Sequence, residues 1–208
     1  MDTTTDAAAF WERHYRGRAA GGRVNPLLAE IAVPLRPGTA LDLGCGTGGD
    51  TIWLARHGWR VTAVDIAHTA VDRLRAHAAA LDLTGRITAE RHDLAAGFPG
   101  GTFDLISAQY FHTQFPLDRA RVLRTAASAL RPGGLLLIVD HGSTAPWSWN
   151  QDPDTHFPTP AEVAASLDLD PAGWSVLRAD MPRRPATGPG GRTATVTDNV
   201  LLIQRAAG

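Results

Sequence analysis

The sequence predicts an α/β protein in which helices cover both faces of a doubly wound, mostly parallel sheet. Three observations support this fold class. Strand-like and helix-like segments alternate through most of the 208 residues, as in a parallel sheet covered by helices. A glycine-rich turn, Gly44–Gly49, links the first apolar strand to a helix. The apolar run Leu135–Val139 is continuous rather than alternating, as in a strand buried on both faces.

Length and composition suit one soluble domain over residues 1–208. The chain has 20 Lys+Arg against 21 Asp+Glu, a formal net charge of -1, and so lacks the broad basic surface of nucleic-acid or anionic-membrane binders. Its single cysteine, Cys45, excludes an internal disulfide. The first residues do not resemble a secretory signal, and no apolar run could cross a bilayer. We expect a cytoplasmic monomer or homodimer with no nucleic-acid and no membrane partner.

The N-terminal part of the chain predicts two helices and the first strand. Asp6–Ala20 has the spacing of an amphipathic helix, and Asn25 followed by Pro26 suits a helix cap with proline in the first turn. The first strand is Ala40–Leu43, and the helix after the glycine turn extends to about His57.

The middle of the chain continues the alternation of strands and helices. Val61–Val64 is the second predicted strand, and His68–Leu81 has helical spacing. Ile87–Arg91 alternates apolar and polar residues like an edge strand. The fourth strand is Phe103–Ala108, and a helix is predicted over Asp118–Leu130.

The C-terminal part predicts one more helix and two more strands after the buried fifth strand. The turn Arg131–Gly134 ends the preceding helix, and Thr159–Glu162 is a capping box that starts another. Trp174–Ala179 and Ala194–Ile203 are the last two strands. The segment between them, Arg183–Arg192, is rich in proline and glycine and is predicted to be a loop.

The glycine turn is the most informative motif. Gly44, Gly46 and Gly49 have the spacing of a dinucleotide-binding turn, whose glycines permit a tight turn, close ligand approach and helix packing. Asp65 ends the next strand about 20 residues later, where a carboxylate can accept both ribose hydroxyls. Asp93 ends the third strand, near the expected position of an adenine ring. These residues predict a nucleoside cofactor and are compatible with NAD.

Neighbouring motifs extend this pattern. Leu41–Gly48 resembles the first motif of the class I S-adenosylmethionine-dependent methyltransferases. In that resemblance Asp65 matches the ribose-binding acid, His92–Leu94 the adenine-contacting segment, and Leu130–Gly134 the turn before the fifth strand. The resemblance implies a Rossmann-like sheet of seven strands in the order 3-2-1-4-5-7-6, with the last strand antiparallel. The short chain and its histidine after strand four look most like the small bacterial thiopurine and tellurite-resistance methyltransferases.

The resemblance implies S-adenosylmethionine as the cofactor. Asp42, just before the turn, would repel the pyrophosphate of NAD, whereas it could face the ammonium group of S-adenosylmethionine. An NAD(P)-dependent oxidoreductase therefore ranks below a methyltransferase, and a protein that binds the cofactor without catalysis is a further alternative. The predicted cofactor-binding residues are Asp42, Gly44, Cys45, Gly46, Gly48, Asp65, Ile66, His92, Asp93, Leu94 and Gln109.

Two histidines leave neighbouring strands of the predicted sheet. His112 follows the fourth strand and His141 the fifth; such strands lie about 4.8 Å apart, so both rings could face one pocket. Each is a candidate for the catalytic base or a hydrogen bond to the methyl acceptor, against the simpler role of lining the pocket. Ser107–Tyr110 stands where DNA- and protein-amide methyltransferases carry an Asn/Asp-Pro-Pro-aromatic motif, which argues against such acceptors. No short-range histidine spacing indicates a metal.

Aromatic residues are the candidate acceptor contacts. Trp11 and Tyr15 share one face of the first helix, which the resemblance implies is part of a lid, residues 1–35, over a catalytic sheet and helices, residues 36–208. Tyr110 follows the fourth strand, and Trp147 and Trp149 follow the fifth, where aromatic walls would suit a planar, apolar acceptor. We expect a small molecule methylated on oxygen, nitrogen or sulfur.

Overall fold

A computed structural model describes residues 3–18, 21–148 and 150–208, with side chains from Asp6 onward. The helices in these ranges are α1 (Thr3–Arg16), α2 (Pro26–Ala32), α3 (Gly49–Arg56), α4 (His68–Ala80), α5 (Arg119–Ser128) and α6 (Pro160–Leu167). The strands are β1 (Thr39–Leu43), β2 (Arg60–Asp65), β3 (Ile87–Arg91), β4 (Phe103–Gln109), β5 (Leu130–His141), β6 (Trp174–Asp180), β7 (Arg183–Thr187) and β8 (Thr193–Arg205).

The sheet has the predicted strand order. Seven strands follow one path, β3-β2-β1-β4-β5-β8-β6. Strands β1 to β5 are parallel, and β8 is antiparallel to both β5 and β6. The last strand of the chain therefore lies antiparallel between the fifth and sixth strands, as the resemblance implied. The order in which strands are added reverses between β1 and β4: β2 and β3 lie on one side of β1, and β4 and β5 lie on the other. A crevice therefore opens at the carboxyl ends of β1 and β4.

Helices cover both faces of the sheet, as predicted. On one face α2, α3 and α4 bury Leu28, Leu54 and Leu74. On the other, α5 and α6 bury Leu123 and Leu167. Successive residues of β5 alternate between these two clusters, so the strand is covered on both sides, which explains its continuous apolar sequence.

The predicted loop Arg183–Arg192 was wrong in its first half. Arg183–Thr187 is strand β7, which pairs antiparallel with the first five residues of β8. Pro185 is tolerated because β7 is an edge strand, where one missing amide donor leaves no central ladder bond unmade. Asp198 of β8 lies opposite His141 at the end of β5, so the β7–β8 hairpin extends beyond the carboxyl edge of the parallel strands.

The boundary between α5 and β5 also differs from the prediction. Helix α5 ends at Ser128 rather than Leu130, and β5 begins at Leu130. The predicted turn Arg131–Gly134 therefore lies within β5, where the pairing with β4 shifts register and Gly133 has φ +78°. The capping box that starts α6 is present as predicted. In the described ranges no helix is both long and apolar enough to cross a membrane.

Candidate active site

The turn between β1 and α3 is shaped by three glycines with a left-handed backbone. The angle φ is +70° at Gly44, +52° at Gly46 and +84° at Gly48, values that side-chain-bearing residues rarely adopt. A Cβ at Gly46 would lie 3.0 Å from the Tyr15 hydroxyl, and one at Gly48 would lie 2.7 Å from Leu74 Cδ1. Backbone conformation and close packing therefore both require glycine here.

Asp65, at the end of β2, joins this turn to the next helix. Its Oδ2 accepts a hydrogen bond from the Gly46 amide at 3.0 Å, and its Oδ1 accepts one from the Ala67 amide at 2.9 Å. The side chain is buried, and burial raises the pKa of its carboxyl. Two backbone donors thus fix the orientation of this acid at the sheet edge.

A cleft with about 790 Å³ of empty space, part of it open to solvent, lies at this edge. The predicted site residues that line it are Trp11, Tyr15, Gly44, Asp65, Ile66, His92, Asp93, Leu94, Tyr110 and His112. Sequence reasoning missed Ala7, Ala95, Phe111, Thr113, Phe115, Pro116 and Leu117. Most of the missed residues lie in the segment that directly follows the fourth strand. Its apolar residues, such as Phe111, Phe115 and Leu117, could have indicated a cleft wall.

Asp42 and Gln109 lie in a polar cluster at the base of the glycine turn rather than on the cleft wall. Asp42 accepts a hydrogen bond from Thr51 Oγ1 at 2.5 Å, and Gln109 Oε1 accepts one from Asn25 Nδ2 at 2.7 Å. Asp50 Oδ1 accepts one from the Asn25 amide at 2.6 Å. Burial, with Asp50 nearby, raises the pKa of Asp42 to about 7, and burial raises the pKa of Asp50 to about 6.

The acidic side chains around the turn share one electrostatic property. Among the described residues, no lysine, arginine or histidine forms an ion pair with Asp42, Asp50 or Asp65. Cys45 is also buried here, and burial raises the pKa of its thiol well above its usual value, which keeps the sulfur protonated and unreactive near neutral pH. Cys45, Gly46 and Gly48 shape the turn without lining the cleft.

Helix α1 closes one side of the cleft and is fastened to α4 at two points. Glu12 accepts hydrogen bonds from the His68 amide and, at 2.5 Å, from Thr69 Oγ1, at a helix start that has no side-chain cap of its own. In return Arg73 donates to backbone carbonyls at the end of α1, including that of Arg16 at 2.9 Å. The aromatic face is formed by Trp11 stacked on Tyr15, with centroids 5.9 Å apart.

The two predicted histidines occupy different environments. His112 lines the cleft, and its Nε2 lies 3.2 Å from Asp140 Oδ1. Asp140 is also bound by Arg119, whose terminal nitrogen lies 2.7 Å from both carboxylate oxygens. His141 does not line the cleft; its ring stacks on Tyr110 with centroids 4.4 Å apart. Partial burial, with His112 nearby, lowers the pKa of His141.

Tyr110 is held in an unusual conformation by a second buried ion pair. Its φ is +50°, a costly conformation for an aromatic residue that persists only where surrounding contacts enforce it. Its hydroxyl donates to Asp198 Oδ1 at 3.0 Å and accepts from Arg184 at 2.9 Å. Arg184 Nε in turn lies 2.5 Å from Asp198 Oδ2. The hairpin and the end of β4 are thereby joined.

Trp147, a further predicted acceptor contact, lies outside the cleft. A Cβ on Gly188 would lie 2.2 Å from Trp147 Cδ2, so Trp147 packs against the tip of the β7–β8 hairpin instead of lining the cleft. Trp149 falls outside the described residues. Among the residues that are described, no three His, Cys, Asp or Glu side chains cluster as metal ligands would.

Comparison with known proteins bears on the identity of this fold. Residues 40–134 match the family model described as "Methyltransferase domain". The chain is 33% identical over 131 residues to Ribosomal RNA small subunit methyltransferase C of Alcanivorax borkumensis, covering 62% of this chain and 40% of that protein. It is 34% identical over 118 residues to Ubiquinone biosynthesis O-methyltransferase of Xanthomonas campestris pv. campestris, covering 56% and 47%. The chain thus spans less than half the length of these curated relatives.

A solved structure extends the similarity to nearly the whole chain. Magnesium protoporphyrin IX methyltransferase (ChlM) from Synechocystis, with bound S-adenosylhomocysteine, superposes with a TM-score of 0.67 over 99% of this chain and 100% of that one, at 20% identity. At that identity the likeness establishes the fold alone. Together, the matched residues 40–134, the sheet order and the motifs of the glycine turn make this chain similar to the class I S-adenosylmethionine-dependent methyltransferases.

Proposed function

We propose that this protein transfers a methyl group from S-adenosylmethionine to an oxygen, nitrogen or sulfur atom of a small molecule. The observation that carries the proposal is a set of acids around the glycine turn, Asp42, Asp50 and Asp65, that have no basic partner among the described residues. A ligand with a sulfonium and an ammonium group relieves the repulsion among them, whereas the pyrophosphate of NAD increases it. The charge at this turn therefore favours S-adenosylmethionine over the dinucleotide.

The cleft provides a contact for each part of that cofactor. Asp65 would accept hydrogen bonds from the ribose hydroxyls, and Ile66 with His92–Leu94 would surround the adenine. Gly44 lines the cleft, and a Cβ there would meet the Phe111 ring at 3.1 Å, so only glycine leaves its backbone accessible to the methionine end. Asp42 and Gln109 would act from the base of the turn, by holding its shape and its charge.

The acceptor side suits a neutral molecule with an apolar body. Its two arginines, Arg119 and Arg184, are each paired with a buried aspartate, so neither offers a free charge to an anionic acceptor. Phe111, Phe115 and Leu117 supply apolar surface. The relative named for ubiquinone biosynthesis supports this class of acceptor. Two features argue against ribosomal RNA as the acceptor, although one relative is named for it. The net charge is -1, and Ser107–Tyr110 lacks the motif of methyltransferases that act on amides and adenine.

The main role of the protein in methyl transfer would be to position the two reactants. When bound, S-adenosylmethionine supplies a methyl group on a positively charged sulfur, open to in-line attack. Proximity and exclusion of water then account for much of the rate. His112 would accept the proton of a hydroxyl, thiol or ammonium acceptor. His141 ranks behind it because its ring is stacked on Tyr110 and does not reach the cleft.

Helix α1 would serve as the lid. Its Trp11 and Tyr15 line the cleft, and its attachment to α4 through Glu12 and Arg73 would hold it over a bound cofactor. The aromatic face would also exclude water from the reacting atoms. In this proposal residues 1–35 cover a site that residues 36–208 build.

A methyl-transfer screen tests the function. Purified protein is incubated with S-adenosylmethionine labelled in its methyl group and with panels of phenols, thiols and amines. We expect transfer to one of these classes, a drop of about 100-fold in His112→Ala, and no drop in His156→Ala, which changes an exposed histidine in the loop before α6. Full activity in His112→Ala would contradict its role as base. Cofactor binding without transfer to any panel would favour the non-catalytic alternative.

A further inference from the structure

Asp140 is a buried acid in the acceptor half of the cleft. It lies near the end of β5 with 1% of its surface exposed. An ionised carboxylate at such a position must be paired and hydrogen-bonded, because its desolvation is otherwise very costly. Both requirements are met by two residues from the segment after β4: Arg119, which contacts both oxygens at 2.7 Å, and His112, at 3.2 Å.

The contact with Asp140 determines which nitrogen of His112 carries the proton. An ionised carboxylate only accepts hydrogen bonds, so the Nε2 atom that faces it must be protonated. A neutral imidazole has one ring proton, and its Nδ1 is then an unprotonated acceptor. A general base requires such a nitrogen. Without Asp140, nothing in this contact would favour one ring tautomer over the other.

Arg119 fixes both members of the pair. It is the first residue of α5, and its Nε donates to the Phe111 carbonyl at 3.0 Å, directly before His112 in the chain. Its terminal nitrogen meanwhile holds Asp140. One side chain thereby ties the backbone that carries the histidine to the acid that orients the histidine ring.

Other ionisable groups surround this arrangement. His141 lies 6.0 Å from His112 between ring centroids, and Tyr110, Arg184 and Asp198 form the neighbouring network. Asp198 is paired with Arg184. Among the described residues, Asp140 is therefore the acid that lies within ion-pair distance of His112.

We infer that Asp140 and Arg119 are positioning residues that hold His112 with Nε2 protonated and Nδ1 free to accept the acceptor's proton. The catalytic meaning of this inference rests on the proposed function. In the step itself, the acceptor atom forms a bond to the methyl carbon as the bond from that carbon to sulfur breaks. The acceptor proton passes to Nδ1 of His112, and solvent later removes it, since that side chain is 41% exposed.

The tautomer of His112 can be observed without any acceptor. In ¹⁵N-labelled full-length protein with S-adenosylhomocysteine added, two-bond ¹H–¹⁵N spectra distinguish the two ring nitrogens, and His112→Gln identifies the signal. We expect the Nε2-protonated form in the wild type, a smaller share of it in Asp140→Leu, which offers no acceptor to the ring, and its recovery in Asp140→Glu. An Nδ1-protonated wild type, or an unchanged share in Asp140→Leu, would overturn the inference.

Kinetics with an acceptor from the transfer screen separate this inference from the proposed function. We expect Asp140→Asn to lower kcat at least 10-fold with little change in KM for S-adenosylmethionine, and Asp140→Glu to restore part of it. Asp104→Asn removes a similar arginine-paired acid at the opposite sheet edge and should keep wild-type kcat. If His112→Ala is inactive while Asp140→Asn is fully active, positioning by Asp140 is wrong and the base assignment stands. If His112→Ala is fully active, the base assignment fails as well.

Discussion

The two halves of the cleft differ in whether their buried acids have basic partners. At the ends of β1 and β2, Asp42, Asp50 and Asp65 lie around a glycine turn without basic partners among the described residues. At the ends of β4, β5 and β8, each buried acid is paired with an arginine, Asp140 with Arg119 and Asp198 with Arg184. The proposed cationic cofactor would complement the first half. In the second half the buried acids are already paired, which supports the proposal of an uncharged acceptor.

The halves also differ in which part of the chain shapes them. The cofactor half depends on backbone: positive φ at Gly44, Gly46 and Gly48, and amide donors directed at Asp65. The acceptor half depends on side-chain pairs that join segments distant in sequence. Backbone requirements restrict residue types tightly, whereas an ion pair can be replaced by many other contacts. The comparison therefore predicts different sensitivities to substitution.

The largest expected effect is at Asp65. Asp65→Ala removes the acid proposed to bind the ribose and frees two backbone donors, so we expect the Kd for S-adenosylmethionine to rise about 100-fold, or about 2.7 kcal/mol, measured by calorimetry. Asp104→Ala is the matched control, because Asp104 accepts from the Thr39 amide at the opposite edge of β1 and β4. It should lower Tm without changing Kd. Equal Kd values for wild type and Asp65→Ala would show that the acid does not contact the cofactor.

The next effect separates backbone conformation from packing in the glycine turn. Gly48→Ala combines a strained φ of +84° with a contact of 2.7 Å to Leu74 Cδ1, whereas Gly190 has φ +67° and no atom within 4 Å of an added Cβ. Both variants carry a cost of about 1 kcal/mol for the backbone. Gly48→Ala adds overpacking of about 1–3 kcal/mol. Chemical denaturation should show this difference in the free energy of unfolding. Equal losses in the two variants would mean that the Leu74 side chain moves aside without cost.

The unpaired acids predict a pH dependence with a definite sign. The pKa of Asp42 is raised from 3.8 to about 7 in the folded protein, so the folded state binds more protons than the unfolded chain between these values. Stability of the cofactor-free protein through this group is therefore lost as pH rises from about 4 to about 7. Asp42→Asn should flatten the fall of Tm over that range. An unchanged slope would assign the pH dependence to other groups.

The same acid predicts a proton effect on binding. A bound ammonium near Asp42 favours its ionised form, so the number of protons that cofactor binding releases from this group near pH 7 should be greater than zero. Calorimetry in buffers of different ionisation enthalpy measures that number. Asp42→Asn should reduce it, and proton uptake instead of release would contradict a cation at this turn.

The smallest effect concerns the lid. Glu12→Gln weakens the cap that α1 supplies to α4, and the cost of about 1 kcal/mol should weaken cofactor binding about fivefold through looser closure. Arg13→Ala changes the adjacent exposed residue of α1 and should leave Kd unaltered. If Glu12→Gln lowers Tm while Kd stays constant, α1 supports the fold without closing over the cofactor.

The same contrast explains what could be predicted from sequence. Most strands followed from periodicity, and their order followed from the family resemblance. Gly44, Asp65 and Asp93, the proposed cofactor contacts that line the cleft or shape its turn, followed from motifs at strand ends, because those positions obey backbone geometry. Strand β7 was missed because Pro185 and its glycine-rich surroundings resemble a loop, although an edge position accepts proline. No short-range pattern could reveal that Trp147 packs on the hairpin tip.

The side-chain pairs of the acceptor half were not predicted, for a different reason. Asp140 pairs with Arg119, 21 residues away, and Tyr110 with Asp198, 88 residues away. Such contacts depend on how distant segments meet, which a single sequence does not specify.

If the acids around the glycine turn, which have no basic partner among the described residues, favour a cationic nucleoside cofactor, the protein must bind S-adenosylmethionine in preference to NAD⁺. Calorimetric titration of one protein preparation at low salt with S-adenosylmethionine and with NAD⁺ tests it most directly. We predict saturable binding of S-adenosylmethionine with micromolar or tighter Kd, and no measurable binding of NAD⁺. Tighter binding of NAD⁺, or no binding of S-adenosylmethionine, would contradict the claim.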